Sequence, residues 1–558
     1  WTVKRAWLDV RSLSLPLICP YLAEVELEEA WLAEAGLSSL VTEEDTPLSA
    51  EVLLSTLTRQ QAATVRKRLD KYTETLKSRN RQPVKDVRDI FTEIDPLGED
   101  ASPSQHTLLE THPRSSHTPT TPADDSRQAD WLLREYPYSE GVAEHKQRGT
   151  CWDCLRFHGD NSDDHPFGLV SPAQGLTWAD DLSSHDLTSL GFICHIELST
   201  FLQTLGVQTK RTRSRRLRTR DSGVFNVPLN SLLENDRKKF PGIKVPVFFQ
   251  KLLWVLESSL QTEGILRVPG SAARLKFLRR EADRRCGGFD WSTVRPADAA
   301  GLLKLFIREL PTPLLTHTHL PTYRSVLGIP SVVHQVQALQ LLILLLPEAH
   351  RETLRALLVF LRKVVSHQDQ NRMSLWNVSM VMSPNLFSCL RPKNKSSAAK
   401  QQQEMEEAVG GAYLIRLMIT HQDLLWTVPN FLLSQVRHMN QASSQKELVL
   451  SKTRRLLRKK NGKNDMNRIT DLCEGVIRVH APLHTKVSMA IQLDGQMRAK
   501  DVTCRFECDN RCSPLLSLDS PCQHLYEVGG NITERRLHPD CVLLEVYRVN
   551  PHCDWLIK

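Results

Sequence analysis

The strongest constraint on the fold is a succession of apolar-faced, helix-period segments spread between residues 244 and 420, several of them closed by proline. KVPVFFQKLLWVLE (244–257) is followed by DAAGLLKLFIRELPTPLL (298–315), then by residues 331–346 and 352–365, then by NRMSLWNVSMVMSPNLF (371–387) and 404–420. Apolar residues recurring three and four apart give each segment one face to bury, and proline, lacking an N–H, closes a run. Such segments bury their faces against one another as an all-helical domain. Residues 331–346 and 352–365 read as scaffold.

Between the first two segments lies EGILRVPGSAAR (263–274). The apolar pair Ile265 and Leu266 anchors the backbone ahead of Arg267, and Pro269-Gly270-Ser271 reads as a turn that leads the chain away. The arginine then projects from a braced loop. Its guanidinium stays charged and offers planar donors suited to phosphate oxygens. Downstream, Lys304 and Arg308 lie four apart on one helical face. Asn377 and Asn385 interrupt an apolar helical pattern that is expected to end at Ser383-Pro384.

In order and composition these three stretches resemble the Rho GTPase-activating protein (RhoGAP) family, over about 200 residues from Phe225 into the 430s. The resemblance implies a helical domain that docks on a GTP-bound Rho-type small GTPase and switches off its signalling to the actin cytoskeleton. It makes Arg267 the arginine finger inserted in trans, Lys304 and Arg308 the pair that braces the finger loop and contacts the GTPase, and Asn377 and Asn385 further GTPase-binding residues. In phosphoryl transfer such an arginine raises the rate about 10³ to 10⁵-fold. No nucleotide site of its own and no cofactor are expected, so the chain acts as an activator and not as an enzyme in its own right. Two departures stand out. Val268-Pro269-Gly270 replaces the usual Ser-Gly type of turn, and Ser383-Pro384-Asn385-Leu386 replaces Gly-Pro-Asn-Leu. A non-catalytic scaffold with the same fold and a lipid-surface adaptor are the competing readings; the intact Arg267, Lys304 and Arg308 favour activation.

With 558 residues, 24 % charged and 41 % hydrophobic, the chain has the length of three or four soluble domains. Its 13 cysteines are odd in number and irregularly spaced, which points to a reduced, cytoplasmic protein. Recruitment to membrane or cytoskeleton is what the basic run from Lys210 to Arg220 and the RhoGAP resemblance imply. The longest apolar run, from Leu341 to Leu346, is far short of a membrane span. The sequence begins at Trp1 without methionine and reads as a piece of a longer chain.

Residues 1–90 read as a helical region. Residues 51–79 read as one helix whose Ala62, Val65, Leu69, Tyr72 and Leu76 form an apolar seam. The seam suits folding onto neighbouring segments better than the alternative, a coiled-coil contact, for which it is short. Residues 91–222 read as a largely disordered linker, rich in Ser, Thr, Pro and His in its first part. Ser102, Thr118 and Thr121 there precede prolines as candidate phosphorylation sites. Cys151, Cys154, His158 and His165 have metal-ligand chemistry but loose spacing, so no metal is assigned.

The densely basic run from Lys210 to Arg220 suits an anionic membrane surface, nuclear import or a solvated linker, with the first favoured by its place before the helical domain. Specific nucleic-acid binding is not expected. The helical domain spans 223–435, with an exposed insertion at 391–403. A basic linker or helix follows over 436–480, including KTRRLLRKKNGK.

In residues 481–558 strand-like alternation over 486–493, a helix over 499–506, strands over 524–528 and 541–549, and a turn at Gly529-Gly530-Asn531 predict a small α+β domain. LYEVGGN and VLLEVYRVNP resemble Ras-association, ubiquitin-like (β-grasp) domains, which end one RhoGAP subgroup. That resemblance implies either a Ras-type GTPase as ligand or an intramolecular contact.

Overall fold

The computed structural model describes residues 20–41, 50–77, 132–133, 136–148, 168–169, 174–208, 220, 222–284, 288–387, 398–457, 475–482, 487–508 and 523–558. The candidate phosphorylation sites, the cysteine–histidine group at 151–165, and the basic run other than Arg220 lie outside these residues.

Helices α1 (Pro20–Glu34), α2 (Ala50–Leu54) and α3 (Arg59–Lys77) open the described chain. The expected single helix over 51–79 is broken before Arg59. Thr58 and Gln61 form a reciprocal cap there: the Thr58 N–H donates to Gln61 Oε1 at 3.0 Å and the Gln61 N–H to Thr58 Oγ1 at 3.3 Å. Such a cap starts a new helix. Val65, Leu69, Tyr72 and Leu76 are buried, as their spacing predicts.

The segment 91–222, expected to be a largely disordered linker, contains α4 (Tyr138–Arg148) and the 21-residue helix α5 (Ser184–Thr204). Ser183 caps α5 by accepting from the Asp186 N–H, the usual N-terminal arrangement. Most of α5 is buried, including Leu190, Ile193, Cys194, Ile196 and Phe201. Even Glu197 is inside, its carboxylate accepting from Gln61 Nε2 (2.7 Å), the Ser139 N–H and Ser139 Oγ (both 2.9 Å). Such donors are what a buried carboxylate needs. Burial raises its pKa all the same, against those hydrogen bonds.

Helices α6 (Leu229–Arg237), α7 (Val247–Glu257), α8 (Ala272–Arg284), α9 (Pro296–Arg308), α10 (Leu320–Val326), α11 (Val332–Leu344), α12 (Glu348–Ser366), α13 (Leu375–Leu386), α14 (Ala398–Thr420) and α15 (Asn430–Leu457) form the expected all-α body. One continuous apolar core joins them to α1–α5. The N-terminal helices are therefore part of the body: Trp31 Nε1 donates to Ser199 Oγ at 2.9 Å and Tyr138 Oη to Gln340 Oε1 at 2.6 Å. Helix α13 runs through Pro384, which is exposed in the last turn. No helix among the described residues is long and apolar enough to cross a membrane.

The C-terminal unit has its own core and a five-stranded sheet of order β2-β1-β5-β3-β4. The strands are β1 (Val476–His480), β2 (Ser488–Gln492), β3 (Leu525–Gly529), β4 (Ile532–Arg536) and β5 (Asp554–Ile557), with helices α16 (Ala499–Cys508) and α17 (Leu543–Val549). Gly529 (φ +79°) and Gly530 (φ +71°) make the β3–β4 turn; a Cβ on Gly530 would lie 2.1 Å from Asn550 Oδ1. The stretch 541–549, expected as a strand, is mainly helix α17. Leu543 and Val546, three apart, are both fully buried, and this helical spacing of tertiary contacts overrides β-branched preference.

Strand β4 is at the sheet edge, and the body covers it. The Ser183 N–H donates to the Glu534 carbonyl at 3.1 Å, and the Asp186 carboxylate accepts from the N–H groups of Thr533 (3.1 Å) and Glu534 (3.2 Å). Ile532 is buried in the body's core.

Candidate functional site

Arg267 lies between α7 and α8 on a loop whose shape is set ahead of it. Gly264 has φ +69° and Leu266 φ +67°. A leucine in this left-handed region costs roughly 1–2 kcal/mol. Burial of Ile265 and Leu266 offsets that cost. The Gly264 carbonyl accepts the N–H groups of Arg267 (2.8 Å) and Val268 (2.9 Å), while its own N–H donates to the Asn371 carbonyl at 2.8 Å. A Cβ at Gly264 would come within 2.6 Å of Val268 Cγ2. The turn that aims Arg267 is therefore built at Gly264–Leu266, before the arginine, whereas Pro269-Gly270 leads into α8. The Arg267 side chain is exposed and, among the described residues, has no hydrogen-bond or ion-pair partner.

Lys304 reaches this loop from α9. Its Nζ donates to the Leu266 carbonyl at 2.8 Å, fixing the peptide that joins Leu266 to Arg267. Burial, and next the neighbouring Arg308, lower the Lys304 pKa. Arg308, one turn on, is exposed and donates through Nη1 to Asn385 Oδ1 at 3.2 Å. Asn385 is only 5 % exposed, and its Nδ2 donates to the Val381 carbonyl at 2.8 Å. Both ends of its carboxamide are thus engaged within the chain. Asn377 is half-buried in the first turn of α13, where Ser374 Oγ accepts its N–H at 3.3 Å; its Nδ2 points at the Arg372 carbonyl, 3.4 Å away.

The far side of the loop is anchored to α9 as well. Arg274 Nε donates to Asp298 Oδ2 at 2.6 Å, and Asp298 also accepts the Arg295 N–H at the start of α9. Two large apolar side chains flank the polar set: Val268 beside Arg267 is 55 % exposed, and Trp376 beside Asn377 is 41 % exposed. Exposed apolar groups beside functional polar ones are typical of a protein-docking face. From the sequence, Val268 is expected only as part of a turn and Leu266 only as an apolar anchor, and neither Trp376 nor Gly264 is singled out. A glycine two residues ahead of an apolar residue and an arginine was the available signal for the turn. Among the described residues no group of three or more His, Cys, Asp or Glu side chains is placed to hold a metal ion.

An all-helical body that presents one unpartnered arginine on a braced loop, beside a lysine and a second arginine, defines a protein built to act on another protein. Residues 246–391 match the RhoGAP domain, and residues 476–558 match the RHG40-like, C-terminal ubiquitin-like domain. The chain is 38 % identical to Rho GTPase-activating protein 28 of Mus musculus, over 96 % of this chain and 84 % of that protein. It is 39 % identical to Rho GTPase-activating protein 18 of Homo sapiens, with coverages of 96 % and 84 %. It is 36 % identical to Rho GTPase-activating protein 40 of Homo sapiens, with 96 % and 83 %. The chain belongs to the Rho GTPase-activating protein family.

Proposed function

We propose that this protein stimulates GTP hydrolysis by a Rho-type small GTPase through Arg267, lent in trans to the reacting phosphates, with no nucleotide site of its own. The observation that carries this reading is the state of Arg267: exposed and, among the described residues, without a partner, on a loop held by Lys304 Nζ at 2.8 Å. Charge develops on the equatorial and bridging oxygens as the γ-phosphoryl group transfers, and a guanidinium already positioned there stabilises the transition state more than the ground state. Lys304 holds the peptide that aims it. Arg308 contacts the GTPase from the same helical face, and Asn385 positions Arg308 in place of touching the partner itself. Asn377, with Trp376 beside it, supplies the adjoining docking surface.

The ubiquitin-like unit acts as an intramolecular module in this reading, which the covered β4 edge favours over a Ras-type ligand. The basic run from Lys210 to Arg220 would bring the body to an anionic membrane, where Rho-type substrates are anchored; salt-sensitive vesicle binding independent of Arg267 tests that role. For the main activity the test is single-turnover phosphate release with a panel of GTP-loaded Rho-type GTPases. Arg267→Ala should lower the stimulated rate by about 10³-fold or more while the complex still forms. Unchanged stimulation, or loss of binding equal to the loss of rate, would argue for a scaffold.

A further inference from the structure

Asn371 is fully buried at the point where the finger loop, the end of α12 and the start of α13 meet. Its Nδ2 donates to the Leu260 carbonyl and to the Val364 carbonyl, each at 2.8 Å. Its Oδ1 accepts the Met373 N–H at 2.8 Å, and its main-chain carbonyl takes the Gly264 N–H at 2.8 Å. Both amide hydrogens and the amide oxygen are thus used. The two carbonyls and one N–H around it dictate the orientation, because a flipped amide would set oxygen against oxygen. Aspartate keeps the acceptor and loses both donors; serine is too short to reach all three groups.

We propose that Asn371 is a positioning residue for GTPase stimulation: its carboxamide ties the loop that presents Arg267 to the turn that begins α13 and carries Asn377. The inference rests on the reading of Arg267 as the finger. Asn371 holds the entry of the loop at Leu260 and Gly264, and Lys304 holds its exit at Leu266. Between these anchors stand the two left-handed residues, Gly264 and Leu266. The next residue, Arg372, is itself left-handed at φ +58°, and its carbonyl faces the Asn377 amide. Without the carboxamide, the Leu260 and Val364 carbonyls lose their donor, the loop entry is released from α12, and Leu266 can relax towards ordinary backbone angles. Arg267 would then swing off its line. A misplacement of about 1 Å costs on the order of 10²-fold in rate.

The test measures single-turnover phosphate release from a GTP-loaded Rho-type GTPase over a range of full-length activator concentrations, together with thermal melting. Asn371→Ala and Asn371→Asp should each lower the saturating rate by about 10- to 100-fold and move the half-saturating concentration by less than about threefold. In an Arg267→Ala background neither should lower the rate by more than about twofold, because the two residues then act as one unit. Leu361→Ala, a core cavity in α12 with a comparable melting shift, should leave the saturating rate near wild type. Asn371→Ser carries the same expectation should the alanine variant melt below the assay temperature. An equal loss in both backgrounds, an equal loss in Leu361→Ala, or a near wild-type rate in the Asn371 variants while Arg267→Ala is inactive overturns this role for Asn371 alone. Full stimulation by Arg267→Ala overturns the finger assignment and this inference with it.

Discussion

Arg267 and Arg535 carry the same guanidinium into opposite surroundings. Arg267 is exposed and without a partner among the described residues, and the hydrogen bonds nearby go to the backbone around it. Arg535, in β4, is 1 % exposed; its Nε donates to Glu527 Oε2 at 3.0 Å and its Nη1 to Thr177 Oγ1 at 2.9 Å. Arg437, from α15, closes on the same carboxylate, donating to Oε1 at 2.6 Å and to Oε2 at 3.0 Å. Asn550 Nδ2 adds a further donor at 2.8 Å. At the junction two buried guanidiniums close on one carboxylate and hold two units together, whereas at the loop after α7 one guanidinium stands exposed with no partner among the described residues. Rigidity serves both regions, but only the second exports it.

The largest separation between the two regions should come from Arg267→Ala. Alongside its collapse in stimulated rate, roughly 4–7 kcal/mol of barrier, its melting temperature should stay within experimental error of wild type, since its side chain makes no hydrogen bond or ion pair among the described residues. A marked destabilisation would mean that the guanidinium is satisfied within its own chain, and the contrast would fail.

Glu527→Ala probes the other side. Removing the shared carboxylate leaves two guanidiniums buried without a counter-charge, a loss of about 3–5 kcal/mol. Hydrogen exchange in β3 and β4 should accelerate, while the saturating GTPase-stimulating rate of the folded protein stays within about twofold of wild type. A loss approaching that of Arg267→Ala would show that the junction governs the finger. pH sharpens the point. Burial alone would raise the Glu527 pKa, but Arg535, then Arg437, and the Arg437 and Asn550 hydrogen bonds outweigh it and hold the carboxyl at about 2. Its contribution is complete above about pH 4.5, the ordinary value for the unfolded chain, and is lost as pH falls towards 2. The acid-induced loss of junction protection should therefore be shallower in Glu527→Gln.

Lys304→Met lies between these cases. The stem still fills its place, but the Leu266 carbonyl loses its donor, at a cost of about 1–3 kcal/mol. The saturating rate should fall about 10- to 100-fold, with a melting loss of only a few degrees. A pure binding defect would mean that Lys304 serves the partner directly and not the loop.

The finger loop was legible in the sequence because its residues are exceptions to their surroundings. Arg267 follows two residues destined for the core, and Lys304 and Arg308 interrupt a helix that is otherwise apolar. The junction was not legible, because Arg437 and Glu527 lie 90 residues apart and each looks like an ordinary surface charge. Helix α5 was hidden for a different reason. It follows Ser- and Asp-rich sequence and is buried over most of its surface, so no clean polar stripe marks it as amphipathic. The left-handed Leu266 has no signature, since tertiary contacts force leucine there. Asn385 reads in the sequence as a GTPase-binding residue, but neither its burial nor its hydrogen bond to Arg308 has a sequence signal.

The smallest effect is expected where the N-terminal segment meets α12. Asp180 faces Arg351 (3.7 Å) and Arg355 (3.3 Å) from α12 and Lys244 (3.5 Å) from the turn before α7, and Glu352 stands among the same groups. Burial, and then the Asp180 charge, raise the Glu352 pKa to about 7. Asp180 keeps its charge: Lys244 and then Glu352, Arg351 and Arg355 lower its pKa against the cost of burial. The folded state therefore holds the Glu352 proton more tightly than the unfolded chain does. The stability this contributes is full below about pH 4.5 and is lost as pH rises to about 7. Glu352→Gln mimics the protonated form, so its melting temperature relative to wild type should rise between pH 5 and pH 8, with the finger's rate unchanged throughout. A difference that stays flat with pH would mean that Glu352 is ionised and paired with Arg351, and this contact would then resemble the junction at Glu527, where the carboxylate is held charged by its arginines.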